Sequence, residues 1–256
     1  MSFPNYPDKY NGEPIMYPAH TLEVRKRFGR FPKIDPPESL IFCFKNGLPR
    51  RMRWKIPVRG VGRVIGNFYL IRRSKERVAV LSDFGIGAPI IASLAEEMIA
   101  FGVKKFVILS WGGALQPDLK LGDILVCDRA IRDEGVSHHY LPPQKYVCAD
   151  VDLTNRIKEC FERQYVNAKI GSTWTTDAPY RETIPEVKQY QAEGVQTVEM
   201  ETAALFALGE ARRVQTASVV VASDSLASLE WQPPSEMKAI DRSFQIAYAA
   251  IVDTLS

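Results

Sequence analysis

The stretch from Val78 to Leu109, VAVLSDFGIGAPIIASLAEEMIAFGVKKFVIL, predicts a strand, a helix and a second strand in succession. Its first four residues are an apolar strand candidate, and Pro89 stands where the first turn of a helix tolerates proline. Apolar residues then recur with the period of a helix until Gly102, a residue type that commonly ends helices. They are Ile90, Ile91, Leu94, Ala95, Met98 and Ile99. The apolar run Phe106–Leu109 predicts the next buried strand.

Strands and helices also alternate on both sides of this unit. Upstream, Leu40–Phe44 is a strand candidate, and Asn67–Ile71 forms a hairpin with Val78–Leu81 around the charged turn 72–77. Downstream, the elements are the strand Ile124–Val126, a helix carrying Leu153, Ile157 and Phe161, a short helix opened by the capping box Thr183–Glu186 and closed by Gly194, the strand Thr197–Met200, the helix Thr202–Arg212, the strand Ala217–Ala222 and a last helix carrying Ile240, Phe244, Ala247 and Ile251.

This alternation predicts an α/β fold, in which a single domain has a mixed central sheet covered by helices on both sides. We place the domain at residues 38–256. Residues 1–37 contain seven prolines, which oppose a long helix or a central strand, so we expect an irregular N-terminal arm with at most a helical turn around Leu22–Phe28. Ligands in such folds gather where strands end, which here means the segments 82–87, 110–113 and 223–225.

The composition of the 256 residues narrows the class of protein. Lys and Arg number 33 against 30 Asp and Glu, and a net charge of +3 does not indicate a nucleic-acid partner. Four cysteines without a CxxC pair predict neither a disulfide scaffold nor a zinc site, and the adjacent His138 and His139 do not make a metal pair. With no apolar leader and no apolar run of membrane-spanning length, we expect a soluble cytoplasmic protein that binds no metal.

The segment Val198-Glu199-Met200-Glu201-Thr202-Ala203-Ala204 is the strongest candidate for a site. Two carboxylates at a strand end, with an apolar Met between them, need hydrogen-bond donors if they are buried, and the hydroxyls of a sugar are such donors. By spacing alone, an ordinary helix start with acids in its first turn explains the pattern at least as well.

Together with three further segments, this one resembles the nucleoside phosphorylase family, which includes purine nucleoside phosphorylase, uridine phosphorylase and methylthioadenosine nucleosidase. The others are the glycine turn Ser82–Pro89, the Gly-Gly loop Leu109–Leu115 with the following Leu121–Val126, and the segment Thr175–Tyr180. The resemblance covers about residues 55–255 and implies cleavage of the N-glycosidic bond of a nucleoside, with inorganic phosphate as co-substrate and no cofactor. It also implies a homo-oligomer, either a dimer or a hexamer.

The resemblance implies a role for each matching residue. Glu201 is expected to bind the ribose hydroxyls, with Met200 against the sugar and Glu199 in support. Asp224 is expected to protonate or hydrogen-bond a purine ring nitrogen, which makes Glu201 and Asp224 the expected catalytic residues. The remaining implied sites are Gly47, Arg51, Arg59 and Ser110 for phosphate, and Thr176, Tyr180 and Arg181, together with Asp224, for the base.

The phosphate site departs from the family pattern. Phosphorolytic members tend to have Arg where this chain has Ile108, and Ser or Thr where it has Trp111. Three functions stay open: phosphorolysis, with purine favoured over uridine, hydrolysis by a nucleosidase of the same fold, and binding of a nucleoside without turnover. Asp224 favours a purine, although Arg181 is also suited to reading a carbonyl group of the base.

Overall fold

The predicted strand–helix–strand unit forms in the computed structural model, which describes residues 5–45, 48 and 50–256. The helices are α1 Pro18–Arg27, α2 Arg50–Lys55, α3 Ala88–Phe101, α4 Val151–Arg163, α5 Ile184–Ala192, α6 Thr202–Arg212 and α7 Met237–Leu255. The strands are β1 Ser39–Cys43, β2 Val58–Arg63, β3 Asn67–Ile71, β4 Val78–Ser82, β5 Lys105–Ala114, β6 Ile124–Asp133, β7 Tyr146–Cys148, β8 Ala168–Thr176, β9 Thr197–Glu199 and β10 Gln215–Ser225.

The strands form one mixed sheet, and part of it closes on itself. Strand β1 lies between β4 and β5 and is parallel to both. Strand β5 pairs in parallel with β10 and in antiparallel fashion with β9. A ring of five strands is completed by three further pairings, β10 with β6, β6 with β8, and β8 with β9. On the other side, β4, β3 and β2 extend the sheet as an antiparallel ribbon, which confirms the predicted hairpin.

Alternate residues of β5 explain why helices cover both faces. Val107 and Leu109 belong to the apolar cluster that contains α4 and α7 residues, including Phe161 and Phe244. Phe106 and Ile108 belong to a second cluster with residues of α3 and α6. Side chains of a strand alternate between faces, so a run that is apolar throughout is buried on both sides. The predicted fold class is therefore confirmed.

The N-terminal segment differs from the expected irregular arm, because α1 is a ten-residue helix rather than a single turn. Pro18 is its first residue, where the missing N–H costs no intrahelical bond, and the chain is then free of proline until Pro32. Leu22 is buried in the cluster on the α3 face, and Arg25 forms an ion pair with Glu97 of α3 at 2.9 Å. The segment is thus packed on the domain.

Several strands are longer than the sequence indicated, and β8 was not predicted. Strand β5 continues through Gly112 and Gly113, and the polar end of β8 is buried inside the closed part of the sheet. There, Thr173 Oγ1 donates to the carbonyl of Thr197 at 3.2 Å and accepts from Thr197 Oγ1 at 2.9 Å. Threonine hydroxyls that bond across strands tolerate burial, so apolar periodicity does not reveal this strand. Among the described residues, no helix is both long and apolar enough to span a bilayer.

Candidate active site

A cavity of about 680 Å³ opens where β1, β4 and β9 end, beside the middle of β5 and the first turns of α7. Its lining residues are Cys43, Phe44, Lys45, Asp83, Phe84, Gly85, Ile86, Ser110, Trp111, Glu199, Met200, Glu201, Met237 and Asp241. Two of the three segments predicted to gather ligands, 82–87 and 110–113, contribute to it, although the second lies within β5 rather than after it. The cavity also contains all three residues of the predicted sugar site.

Glu199 is buried and holds the junction between β9 and α6. Its carboxylate accepts hydrogen bonds from Thr175 Oγ1 at 2.5 Å, from the Glu201 N–H at 2.9 Å and from the Thr202 N–H at 2.8 Å. The last two donors are backbone groups that the start of a helix leaves without an intrahelical acceptor. Burial raises the pKa of Glu199. Its contacts make it a supporting residue for the loop that carries Met200 and Glu201.

Glu201 is the buried carboxylate of this cavity that meets the start of α3. Its Oε1 accepts a hydrogen bond from the Gly87 N–H at 2.5 Å, and α3 begins at the next residue. Gly87 has φ 99°, a conformation that L side chains rarely adopt, so glycine is needed for this approach. Burial and the neighbouring charge of Glu199 raise the pKa of Glu201 to about 8. The Gly87 contact was not foreseen from the sequence.

Ser110 and Trp111 lie in the middle of β5, just beyond Leu109, which pairs with the last residue of β1, and they line the same cavity. Ser110 Oγ is buried and has no hydrogen-bond partner among the described residues. The indole of Trp111 donates from Nε1 to the Phe44 carbonyl at 2.7 Å and stacks on Phe244 with ring centroids 4.3 Å apart. Trp111 therefore forms a wall of the cavity. Ile108, where the resemblance led us to expect an arginine, is fully buried in the core.

Lys45 and Asp241 complete this cavity and were not predicted. Lys45 follows β1 and forms an ion pair with Asp241 of α7, and its Nζ lies 5.0 Å from the ring centroid of Trp111. The rule that ligands gather at strand ends applies to β1 as well as to the three exits considered, so it would have drawn attention to Lys45. Asp241 is remote in sequence and carried no such signal.

The predicted phosphate residues are only partly assembled. Ser110 lines the cavity, but Arg59 does not. Arg59 lies on β2, and its guanidinium donates hydrogen bonds to the carboxylate of Glu76 at 2.7 and 2.5 Å. Gly47 and the side chain of Arg51 lie outside the part of the chain that the structure describes. Within one chain, the structure thus does not bring Arg59 to Ser110.

Asp224 lines a second cavity of about 500 Å³, and Glu201 is not part of it. This cavity is lined by Pro179, Tyr180, Glu182, Ile184, Val187, Asp224, Leu226, Leu229, Glu230 and Trp231. The carboxylate of Asp224 accepts from Ser223 Oγ at 2.7 Å and from Trp231 Nε1 at 2.9 Å. The two predicted catalytic carboxylates therefore lie in neighbouring cavities, and the expectation of one shared cleft is not met in this conformation.

Gly113 of β5 lies between the strand that ends at Glu199 and the strand that carries Asp224. It pairs with Val198 of β9 on one side and with Asp224 of β10 on the other, so Glu199 and Asp224 come from the strands that flank β5. Two strand spacings amount to about 10 Å, which is comparable with the length of a nucleoside. A Cβ added at Gly112 would lie 2.8 Å from the Val198 carbonyl, so glycine is what permits β9 to approach β5 here.

Of the residues predicted to bind the base, Asp224 and Tyr180 line the second cavity, and Thr176 and Arg181 do not. Tyr180 lines the second cavity and is fully exposed, whereas Thr176 is buried, accepts from the Ala178 N–H at 3.2 Å and lines neither cavity. Arg181 is exposed and lines neither cavity. Glu182, which was not predicted, lines the second cavity, and burial together with the charges of Asp224 and Glu186 raises its pKa to about 7.

Comparisons with known proteins agree with this architecture. The family model of the phosphorylase superfamily matches residues 54–255. The chain is 34% identical over 155 residues to a uridine phosphorylase of Treponema pallidum (strain Nichols), a match that covers 56% of this chain and 60% of that protein. It is 31% identical over 153 residues to a DeoD-type purine nucleoside phosphorylase of Bacillus cytotoxicus, covering 59% of this chain and 65% of that protein. The matches thus span less than two thirds of these relatives.

A solved structure shares the fold. The crystal structure of uridine phosphorylase from Vibrio fischeri ES114 superimposes with a TM-score of 0.75 at 24% identity, covering 87% of this chain and 92% of that chain. The same enzyme complexed with 6-hydroxy-1-naphthoic acid gives a TM-score of 0.74. At this level of identity, the likeness concerns the arrangement of helices and strands.

Proposed function

Because this chain belongs to the phosphorylase superfamily, we propose that it cleaves the N-glycosidic bond of a purine nucleoside by phosphorolysis, releasing the base and a pentose 1-phosphate. The observation that carries the proposal is the buried carboxylate of Glu201, held against the start of α3 in a cavity that also contains Met200. A carboxylate in its ionised form only accepts hydrogen bonds, and the hydroxyls of a pentose are donors. The site therefore suits a sugar.

Glu201 binds the 2′- and 3′-hydroxyls in this proposal. The Gly87 N–H uses one of its acceptor positions, and several others remain on an ionised carboxylate. Sugar hydroxyls favour the charged form, so a bound nucleoside lowers the raised pKa of Glu201. Met200 offers the sugar an apolar surface, and Glu199 holds the loop through the backbone of Glu201 and Thr202.

The proposed reaction requires one nucleoside to contact Glu201 in the larger cavity and Asp224 in the second. A phosphate oxygen forms a bond to C1′ of the pentose while the bond between C1′ and the base nitrogen breaks, through a centre of oxocarbenium character. The electron pair of the broken bond passes to the base, and a ring nitrogen of the base takes a proton that Asp224 has first accepted from solvent, while the attacking phosphate releases its own proton to solvent. A general acid of this kind contributes about 10²–10⁴ in rate. Tyr180 borders the same cavity, and we keep Thr176 and Arg181 as proposed base contacts that need a different local conformation.

Hydrolysis is the second candidate, and one observation favours it. The described lining of the larger cavity includes four carboxylates, Asp83, Glu199, Glu201 and Asp241, but a single cation, Lys45. Such a lining opposes a multiply charged anion more than it opposes water. A water molecule that attacks C1′ would give a free pentose in place of the 1-phosphate.

Rates of base release decide between the candidates. We would incubate the protein with inosine, adenosine or uridine, with and without inorganic phosphate, and separate pentose 1-phosphate from free pentose. Phosphate-dependent release of hypoxanthine or adenine, with the 1-phosphate as product, is the expected result. Equal release without phosphate would identify a hydrolase, and faster cleavage of uridine would overturn the purine preference. Thermal stabilisation by nucleosides with no product at all would indicate a binding protein.

The sugar assignment has its own test. Glu201→Ala removes the acceptor for two hydroxyls, so we expect the thermal shift caused by nucleoside to disappear. Glu210→Ala, an exposed glutamate of the same helix α6, is the matched control and should keep the shift. Retained binding by Glu201→Ala would contradict the assignment.

We also propose that the chain forms a closed homo-oligomer, a dimer or a hexamer, in the cytoplasm. Large apolar side chains are exposed on the N-terminal segment and on α2, notably Ile15, Met16 and Trp54. Exposed apolar surface of this kind is commonly covered by a second subunit. Sedimentation at several protein concentrations would measure the state, and a monomer throughout would contradict the proposal.

A further inference from the structure

Lys45 carries the only positive charge among the described residues that line the larger cavity. An anion that binds there needs compensation for the carboxylates around it, because like charges at short range repel strongly in a desolvated site. Ile108, where an arginine is expected, is fully buried among apolar side chains and cannot supply that charge. Lys45 is therefore the cation available from the described lining.

The side chain of Lys45 is held rather than free in solvent. Its Nζ lies 5.0 Å from the ring centroid of Trp111 and 5.3 Å from that of Phe244, two rings that stack on each other. The side chain is 19% exposed, whereas that of its ion-pair partner Asp241 is 41% exposed. The ammonium group thus rests on an aromatic wall and is neutralised by a carboxylate that remains open to solvent.

Ser110 supplies an independent observation at the same cavity. Its Oγ is buried and has no hydrogen-bond partner among the described residues, although buried hydroxyls are nearly always paired. Trp111, the next residue of β5, carries the ring beneath Lys45. Successive side chains of a strand point to opposite faces, so the hydroxyl of Ser110 and the ammonium group over Trp111 reach the cavity from different sides. A ligand with several oxygens, such as phosphate, can accept a hydrogen bond from the hydroxyl and a charge-assisted one from the ammonium group.

We propose that Lys45 binds the phosphate co-substrate together with Ser110, and that Asp241 is the counter-ion of Lys45 which phosphate displaces. The proposal rests on the phosphorolysis proposed above. In the absence of phosphate, Asp241 neutralises Lys45, and the two negative groups compete for one cation. Removing the cation and removing its competitor must then have opposite effects on phosphate affinity.

Three variants test this exchange. Lys45→Met removes the charge and should raise the KM for phosphate by about 10- to 100-fold, the usual effect of losing a hydrogen bond to a charged group. Lys45→Arg keeps the charge and should recover most of the loss. Asp241→Asn removes the competitor and should lower the KM for phosphate by about 3- to 10-fold, since only the Coulomb term of a half-exposed pair is relieved. The KM for nucleoside should change less than twofold in all three.

Exposed residues provide matched controls. Lys188→Met on α5 and Asp152→Asn on α4 make the same chemical changes away from the cavity and should leave the KM for phosphate unchanged. If Lys45→Met and Asp241→Asn both raise this KM, or if both lower only the thermal midpoint, the pair is structural and the proposal is overturned.

Calorimetric titration of the protein with inorganic phosphate separates this inference from the proposed function. Binding by the native protein that is lost in Lys45→Met and strengthened in Asp241→Asn supports the anion site even if base release proves independent of phosphate. Cleavage that requires phosphate, with unaltered phosphate binding in Lys45→Met, overturns the role of Lys45 and leaves phosphorolysis standing. No binding of phosphate by the native protein overturns both.

Discussion

The indole Nε1 of Trp231 donates a hydrogen bond to Oδ2 of Asp224 at 2.9 Å. Trp231 is 66% exposed and lies in the segment between β10 and α7, which is tied back to β10 by reciprocal backbone bonds between Ser225 and Gln232 at 3.0 and 2.8 Å. The carboxylate proposed to act on the base is therefore occupied by a side chain of its own chain. A base that takes the position of the indole at this oxygen must displace Trp231.

Nucleoside binding should consequently change the fluorescence of Trp231. Trp231→Phe removes this hydrogen bond, so a nucleoside no longer has to replace the indole at Asp224. We therefore expect the KM for nucleoside to fall by about 2- to 10-fold, because such a bond contributes about 0.5–1.5 kcal/mol net. Because Trp111 also lines the larger cavity, the ligand-induced change in emission should be smaller in Trp231→Phe than in the native protein rather than absent. Trp54→Phe, which alters an exposed indole of α2 outside both cavities, should retain it. A higher KM in Trp231→Phe would show that the indole itself holds the nucleoside.

Glu201 should make the protein less stable as the pH rises. Its pKa is raised from an ordinary 4.5 to about 8 by burial and by the charge of Glu199, so the folded state holds a proton that the unfolded state releases. The stabilising effect of that proton is complete below about pH 4.5. Between this pH and pH 8 the free energy of unfolding falls by about 1.4 kcal/mol per pH unit. Glu201→Gln cannot titrate, so the native protein should lose stability relative to it between pH 5 and 8.

Urea unfolding of both proteins across this range measures the difference. Glu162→Gln on the exposed face of α4 is the control and should follow the native curve. If the free energies of unfolding of the native protein and of Glu201→Gln run parallel against pH, the carboxylate of Glu201 is ionised in the folded state throughout this range.

Glu182 should introduce an ionisation near neutral pH into the activity profile. Its pKa is raised to about 7 by burial and by the charges of Asp224 and Glu186, so one proton is lost from the second cavity as the pH rises through 7. Two carboxylates then face the lone pairs of a purine ring, and kcat/KM should decline above this pH. Glu182→Gln should keep its activity up to about pH 9, because the amide does not titrate.

A profile of kcat/KM from pH 5.5 to 9 records this effect. Glu236→Gln, at the exposed start of α7, should reproduce the native decline. Persistence of the decline in Glu182→Gln would assign it to another group.

Gly112 should resist substitution even by alanine. An added Cβ would lie 2.7 Å from Val220 Cγ1 and 2.8 Å from the Val198 carbonyl, and the carbonyl belongs to the backbone of β9 and cannot rotate away. We expect Gly112→Ala to lose about 1–3 kcal/mol of stability through overpacking and to impair nucleoside binding by moving Glu199. Gly60→Ala in β2 meets only Tyr69 at 3.8 Å and serves as the control in thermal unfolding. Equal midpoints for the two variants would refute the argument.

The local pattern of the chain was enough to predict the α/β fold, whereas the sugar role of Glu201 was expected only from the resemblance to a known family. Apolar periodicity located α3, α4 and α7, and the capping box predicted the start of α5, which the structure contains with Glu186 Oε2 accepting from the Thr183 N–H at 3.2 Å. Glu199 and Glu201, two residues apart at the end of β9, line one cavity in the structure. These features depend on neighbours in sequence, and short-range sterics and hydrogen bonds determine them.

The tertiary structure alone decided which distant groups meet. Lys45 and Asp241 are 196 residues apart, and only the packing of α7 beside the end of β1 joins them. The same is true of Gly87 and Glu201, 114 residues apart, and of the separation of Asp224 from Glu201 by the strand that carries Gly113. Sheet order and closure of the ring set these distances, and both arise from the burial of whole faces rather than from any local run of residues.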